Sequence, residues 1–213
     1  MKSSVSSYII ATVERKMVVI MTQKRTLDLD KVIAKATEMI ESRGLSETTM
    51  PNLAKALGVR SQSLYHYVKN RSQLLSLVAA SRIRLLYQDL LKQLVGLSGH
   101  EALFKFADVV RDRLLEDQAL ATLLYHMDEF SDDSEVVKEV IKILDLGDQL
   151  QVDTEHAVSQ HALVGAVLGY VFLDRFAKDQ GGREYSESPR EAEENYHEMV
   201  WRLVSPSVQQ SNA

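Results

Sequence analysis

Val32, Ile33, Ala36, Met39 and Ile40 recur at i, i+1, i+4, i+7 and i+8, one stripe of a 3.6-residue period, and Gly44 follows Arg43 as a stop signal. This pattern predicts a first helix. Thr49 is a suitable N-cap and Pro51 falls in a first turn, where its missing N–H does no harm. Leu53, Ala54 and Leu57 then predict a short second helix buried on one side. Gly58 is placed to turn the chain, and Arg60 or Ser61 begins a third helix with Leu64 and Val68 inward and "KNR" at 69–71 as its end. Two short helices joined by a tight glycine turn make a helix-turn-helix.

Beyond it the period stays helical. A long amphipathic helix is expected from about Ser72 to Leu94, and "GLSGH" at 96–100 is the first clear interior boundary. "EALFKFADVVRDRLL", "ALATLLYHM" and, after the acidic "SDDSE", "VVKEVIKIL" continue the pattern. Residues 154–177 read as the most apolar helix, 179–191 as a mobile loop, and Glu191 to Val204 as a final helix. No internal repeat and no credible strand is found. The expected fold class is all-α: a disordered extension at 1–24, an N-terminal three-helix helix-turn-helix domain at 25–72 and a second helical domain at 73–213.

Composition narrows the chemistry. The 213 residues hold no cysteine, which excludes thiolate nucleophiles, disulfides and Cys-ligated zinc. "MVVIM" at 17–21 is too short to span a bilayer and lacks a cleavage signature, so no membrane partner and a cytoplasmic location are expected. There is no HExxH, GxGxxG, Walker loop or GxSxG elbow, and neither "HEM" at 197–199 nor the spacing of His156 to His161 supplies a third ligand. No enzyme, metal or cofactor is expected.

Charge points elsewhere. The net charge is -5, yet residues 1–75 hold 12 Lys/Arg against 6 Asp/Glu and the remainder 13 against 24. From Thr48 to Gln88 no residue is acidic. A basic module on an acidic body suits a polyanion bound by the module alone. In "LGVRSQSLYHYVKNR" at 57–71, Arg60 and Gln62 have the chemistry to bond guanine and adenine edges, and the hydroxyls of Ser61 and Ser63 can reach a base or a phosphate. Tyr65, Lys69 and Arg71 are of the kind that grips the backbone. The rival class is a helical protein-interaction module that dimerises and docks an acidic partner on the same basic face.

"TTMPNLAKALGVRSQSLYHYVKNRSQLL" at 48–75, with "VIAKATEMIESRGLSETTM" before it, resembles the DNA-binding region of the tetracycline-repressor (TetR) family of transcription regulators. The similarity runs without a gap over about residues 27–75. It implies that 25–72 is the DNA-binding domain and 73–213 a helical ligand-binding and dimerisation domain, in a homodimer on a palindromic double-stranded DNA operator that is released by a small-molecule effector, most often as a repressor. By this resemblance the DNA-facing residues are Thr49, Pro51, Asn52, Arg60, Ser61, Gln62, Ser63, Tyr65, Tyr67, Lys69 and Arg71. "HALVGAVLGYV" at 161–171 is similar to a late helix of the tetracycline repressor, which puts His161 at a ligand-lining position. Gly169 stands where that repressor has an acidic residue near its metal-bound drug, so a tetracycline–magnesium ligand is not expected.

Aromatic and histidine residues in the apolar helices of the body, Tyr87, Phe104, Tyr125, His126, His161 and Tyr170, are the candidates for an effector pocket. The helix at 154–177 is apolar on more than one face, and Gly165 and Gly169 permit close approach of another helix. With Tyr196, Met199, Trp201 and Leu203 of the last helix they are expected to form a four-helix dimer seam.

Overall fold

The computed structural model describes residues 27–130, 135–150, 158–179 and 188–205. The expected extension at 1–24, the acidic residues 131–134, residues 151–157 with His156, and residues 180–187 of the 179–191 segment lie outside the described residues. The fold is all-helical, and among the described residues there is no strand.

The first three helices are α1 (Leu29–Arg43), α2 (Met50–Leu57) and α3 (Ser61–Leu64). Asp28 caps α1 by accepting from the Lys31 amide at 2.8 Å, and Gly44 ends it at φ 82°. Val32, Ala36, Met39 and Ile40 are buried, the stripe expected from the sequence. Thr49 caps α2 by accepting from the Asn52 amide at 3.3 Å. Leu53, Leu64 and Val68 are the inward anchors of the three-helix unit. Truncating Leu53 to Ala would cost about 2–5 kcal/mol, enough to threaten a small unit of this kind.

A 23-residue helix, α4 (Arg71–Gln93), runs from this unit into the body. Its N-cap is Asn70, whose side chain accepts from the Gln73 amide at 2.8 Å. The "KNR" segment therefore opens α4, because an Asn with a free amide three residues on is a better start than an end. The third helix is correspondingly shorter than the sequence reading suggests. It closes after one turn at Leu64, and Tyr67 and Val68 return amides to the Leu64 carbonyl at 2.9 and 3.0 Å.

The body consists of α5 (Gly99–Glu116), α6 (Gln118–Leu124), a 3₁₀ turn (Met127–Glu129), α7 (Glu135–Gln149), α8 (Gln160–Asp179) and α9 (Pro189–Val204). α4 is the hub, packed on α1, α5, α6 and α7, while α8 and α9 pack on each other and on α5. α9 starts two residues before the expected Glu191, because Ser188 and Glu191 form a reciprocal capping box ahead of Pro189.

Two buried carboxylates organise this packing. Asp117 ends α5 and starts α6: its Oδ1 accepts from the Leu120 amide at 2.9 Å and its Oδ2 from Arg82 Nε at 2.7 Å. Glu139 of α7, whose side chain is 3% exposed, takes Arg84 of α4 at 2.8 Å and Lys142 at 3.1 Å. Burial alone would raise the Glu139 carboxyl, but the hydrogen bonds from Arg84 and Lys142 outweigh it and hold it below the ordinary carboxylate range. Both pairs tie α4 to its neighbours.

Candidate nucleic-acid interface and effector cavity

Gly58 makes the turn between α2 and α3 possible. It sits in the left-handed region at φ 68° and ψ 29°, and its amide donates to carbonyls of the last turn of α2. A β-carbon there would meet no neighbour, so the demand for glycine is conformational rather than steric. After the turn, Val59 N–H returns to the Ala54 carbonyl at 3.0 Å and Arg60 is extended at φ -76° and ψ 145°. That geometry fixes which side chains of α3 point away from the core.

Leu64 and Val68 point inward, so Arg60, Gln62, Tyr65, His66 and Lys69 are left exposed, with Ser61 and Ser63 half-buried beside them. Tyr65 is 55% exposed, far more than a packing tyrosine needs. Pro51 and Lys55 of α2 are exposed as well. The nearest acid in the chain before this segment is Glu47, whose carboxylate and carbonyl both accept from Asn52 Nδ2. The outward row is thus basic and rich in hydroxyls and amides, the combination that can grip phosphates and bond base edges.

Four of the expected DNA-facing residues have work inside the protein. Thr49 is the helix cap and Asn52 is held by Glu47. Tyr67 is half-buried and its hydroxyl donates to the Leu27 carbonyl at 2.5 Å, which fastens the end of α3 to the start of the described chain. Arg71 turns inward instead of outward. Its Nε donates to the Thr48 carbonyl at 2.9 Å and one Nη to the Leu45 carbonyl at 2.8 Å, and the other pairs with Glu129 of the 3₁₀ turn. Ser72 Oγ donates to the Glu129 carbonyl at 2.6 Å alongside. Among its described contacts Arg71 is therefore a tie between the loop before α2 and the body.

Residues 32–78 match the model of the bacterial regulatory proteins of the tetR family, a span that holds most of α1, both helices of the turn and the start of α4. The match to that family covers this stretch of the chain. No curated protein matches it well enough to count as a relative. The solved structures show how widely its fold is shared. Mycobacterium smegmatis BioQ is 23% identical with a TM-score of 0.57, covering 84% of this chain and 98% of that one. A BioQ with its natural double-stranded DNA operator is 22% identical at a TM-score of 0.52, covering 82% and 98%. Bacillus subtilis FadR in complex with stearoyl-CoA is 16% identical at a TM-score of 0.60, covering 84% and 98%.

The helical body holds an apolar cavity of about 120 Å³ bounded by α4 to α8. Leu86 of α4, Val110 of α5, Ile143 of α7 and Val164 and Leu168 of α8 line it, and Met127 of the 3₁₀ turn lines it too. None of the six aromatic and histidine candidates is among its described lining. His161 is exposed because it shares the outer stripe of α8 with Gly165, Gly169, Phe172 and Phe176, spaced 4, 4, 3 and 4 apart. Val164 and Leu168, one position off that stripe, are the ones that face the cavity. His126 is exposed with a ring nitrogen on the Thr122 carbonyl, and Tyr87 is half-buried against the core. The hydroxyl of Tyr125 donates to the Leu168 carbonyl at 3.4 Å and that of Tyr170 to the Ala192 carbonyl at 2.7 Å. Phe104 lines a separate hollow of α5 and α9 with Trp201, His100 and Asp108.

The outer stripe of α8 is open. Gly165 and Gly169 have free space around them, and Phe172, Leu173 and Phe176 are 41%, 64% and 55% exposed. Trp201 of α9 is 60% exposed, whereas Met199 and Leu203 are half-buried. Tyr196, expected at the same seam, is fully buried. Its ring lies edge-on to Tyr170 with Arg111 over its face at 4.6 Å, because it falls on the inner stripe with Ala192, Val200 and Val204.

No signal in the sequence singles out Glu129 or Met127. Each acts on elements far along the chain, and neither belongs to a local motif. Among the described residues no helix is long and apolar enough to cross a membrane, and no group of three His, Asp or Glu is placed to hold a metal ion.

Proposed function

We propose that this protein is a homodimeric, sequence-specific DNA-binding transcription regulator, a repressor that leaves a palindromic operator when a small molecule occupies its body. The observation that carries the reading is the outward row of Arg60, Gln62, Tyr65 and Lys69 on a helix-turn-helix of matched family, inside a stretch of 41 residues from Thr48 to Gln88 without an acid. The DNA-bound BioQ and the ligand-bound FadR of the same fold support its two halves by analogy. Residues 25–72 form the DNA-binding unit in this reading and 73–213 the effector and dimerisation unit. The protein acts in the cytoplasm without catalysis.

Gln62 and Arg60 read base edges, Ser61 and Ser63 bond bases or phosphates, and Tyr65, Lys69 and the exposed flank of α2 at Pro51 grip the backbone. A second copy covers the outer stripe of α8 and Trp201 of α9, since an apolar face of this extent is seldom left to water. The dimer sets the distance between two recognition units, which must match successive major grooves roughly 34–36 Å apart.

Release follows from linkage. Leu86 of α4 and Met127 of the 3₁₀ turn both line the cavity, and Glu129 of that turn holds Arg71 at the head of α4. A ligand that prefers the arrangement with mismatched spacing by ~2–3 kcal/mol weakens operator binding roughly 30- to 150-fold. Selection of bound sequences from a random duplex pool, with sedimentation of the complex, tests the reading. A two-fold symmetric site bound by a dimer is expected, and absence of any enriched site contradicts it.

A further inference from the structure

We infer that the cavity between α4 and α8 takes an uncharged, wholly apolar molecule, the size of a single aromatic ring or a short alkyl chain, and rejects carboxylates, phosphates and amines. The inference deepens the effector half of the proposed function and rests on it for its regulatory meaning.

The lining comes first. Among the described residues every side chain that bounds the cavity is aliphatic or the Met127 thioether, so nothing there donates or accepts a strong hydrogen bond. An apolar hole of roughly 150 Å³ in another protein core stays dry and takes benzene, and this one is about 120 Å³. Met127 is 53% exposed, so this end of the cavity reaches the surface and gives a ligand a way in. Met is also the side chain best able to move aside for one.

The surrounding charges are committed. Arg82 and Arg84 flank the lining residue Ile83, but Arg82 is taken by buried Asp117 and Arg84 by buried Glu139. Arg175, about two turns beyond the cavity on α8, donates to the carbonyls of Leu114 and Leu115 at 2.7 and 2.9 Å. The Tyr125 hydroxyl already bonds the Leu168 carbonyl. An anion in the cavity would have to strip one of these partners from a buried carboxylate or helix end, and an ammonium would find no free acceptor among the lining side chains. Either burial without a partner costs several kcal/mol, a penalty a neutral hydrocarbon does not meet.

The experiment uses the full chain with toluene and hexanoate as probes, read by calorimetric titration and thermal melting. Toluene is expected to bind saturably, one per chain, and to raise Tm, with hexanoate at least tenfold weaker. Val164→Phe and Leu168→Phe, checked for helical content by circular dichroism, are expected to abolish toluene binding by filling the space. Hexanoate binding as tightly as toluene overturns the inference, as does toluene binding undiminished in both folded variants. If both variants unfold, the toluene–hexanoate comparison in the unsubstituted chain still decides. Titration against the selected duplex separates the two claims: failure to bind any duplex contradicts the proposed function, whereas lack of saturable toluene binding contradicts this inference alone.

Discussion

Arg71 opens the long helix α4, and Glu129 lies in the 3₁₀ turn that borders the apolar cavity. The two form an ion pair across a sequence separation of 58 residues. The same guanidinium satisfies the Leu45 and Thr48 carbonyls, so one side chain joins the loop before α2, the long helix α4 and the 3₁₀ turn at the cavity.

This placement sets Arg71 apart from Lys69, although both are basic and two residues apart. Arg71→Ala leaves two carbonyls and a carboxylate without their donor and is expected to lower stability by about 1–3 kcal/mol, with the salt slope of DNA binding unchanged. Lys69→Ala should leave Tm unchanged and reduce the salt slope by about one unit. Thermal melts and salt titrations of both variants check this. A reduced slope with intact Tm for Arg71→Ala would mean that Arg71 leaves Glu129 to grip a phosphate.

Reading and gripping separate in the same way. Gln62 is exposed at the outward face of α3, and Gln62→Ala is expected to relax preference at a single base pair by about 1–3 kcal/mol while leaving binding to other positions intact. Selection repeated with the variant gives the answer. A uniform loss at all positions would place Gln62 on the backbone.

Glu139 makes stability depend on pH. Its carboxyl is held below the ordinary value by Arg84 and Lys142, so its ionic contribution is fully present above that value, near 4.5, and is lost as pH falls through the lower folded-state pKa. Urea melts at neutral pH and at several values below 4.5 are expected to show a smaller acid loss in Glu139→Gln than in the unsubstituted chain. Parallel losses would mean that the two cations contribute no net stabilisation.

In the proposed dimer the outer stripe of α8 is the seam. Phe172→Glu places a charge in the middle of that apolar face, and sedimentation is expected to show a monomer that keeps its helical content and loses operator affinity at least tenfold. An unchanged dimer would move the seam elsewhere.

What was legible in the sequence is what is local. The Thr49 cap, the Gly58 turn and the stripe from Val32 to Ile40 depend on neighbours within a few residues, and each stands in the structure as the pattern requires. The shorter α3 was not legible, because Asn70 competes for the segment as the cap of α4. His161 misleads for a related reason: a histidine in an apolar helix suggests a pocket, but its stripe is shared with Gly165 and Phe172 and faces outward. Tyr196 errs in the opposite direction, falling on the inner stripe of α9. The cavity itself left no mark beyond ordinary aliphatic residues, and the Arg71–Glu129 and Arg84–Glu139 pairs unite residues 58 and 55 apart that no local pattern connects.

The most direct test of the central claim is titration of the purified chain against the selected two-fold symmetric duplex and a scrambled duplex of equal length, at a series of salt concentrations. A preference of about 10³-fold or more for the symmetric site at physiological salt, with affinity falling steeply as salt rises, is the predicted result. Equal affinity for the two duplexes, vanishing at physiological salt, would contradict it and turn the basic face toward an acidic protein.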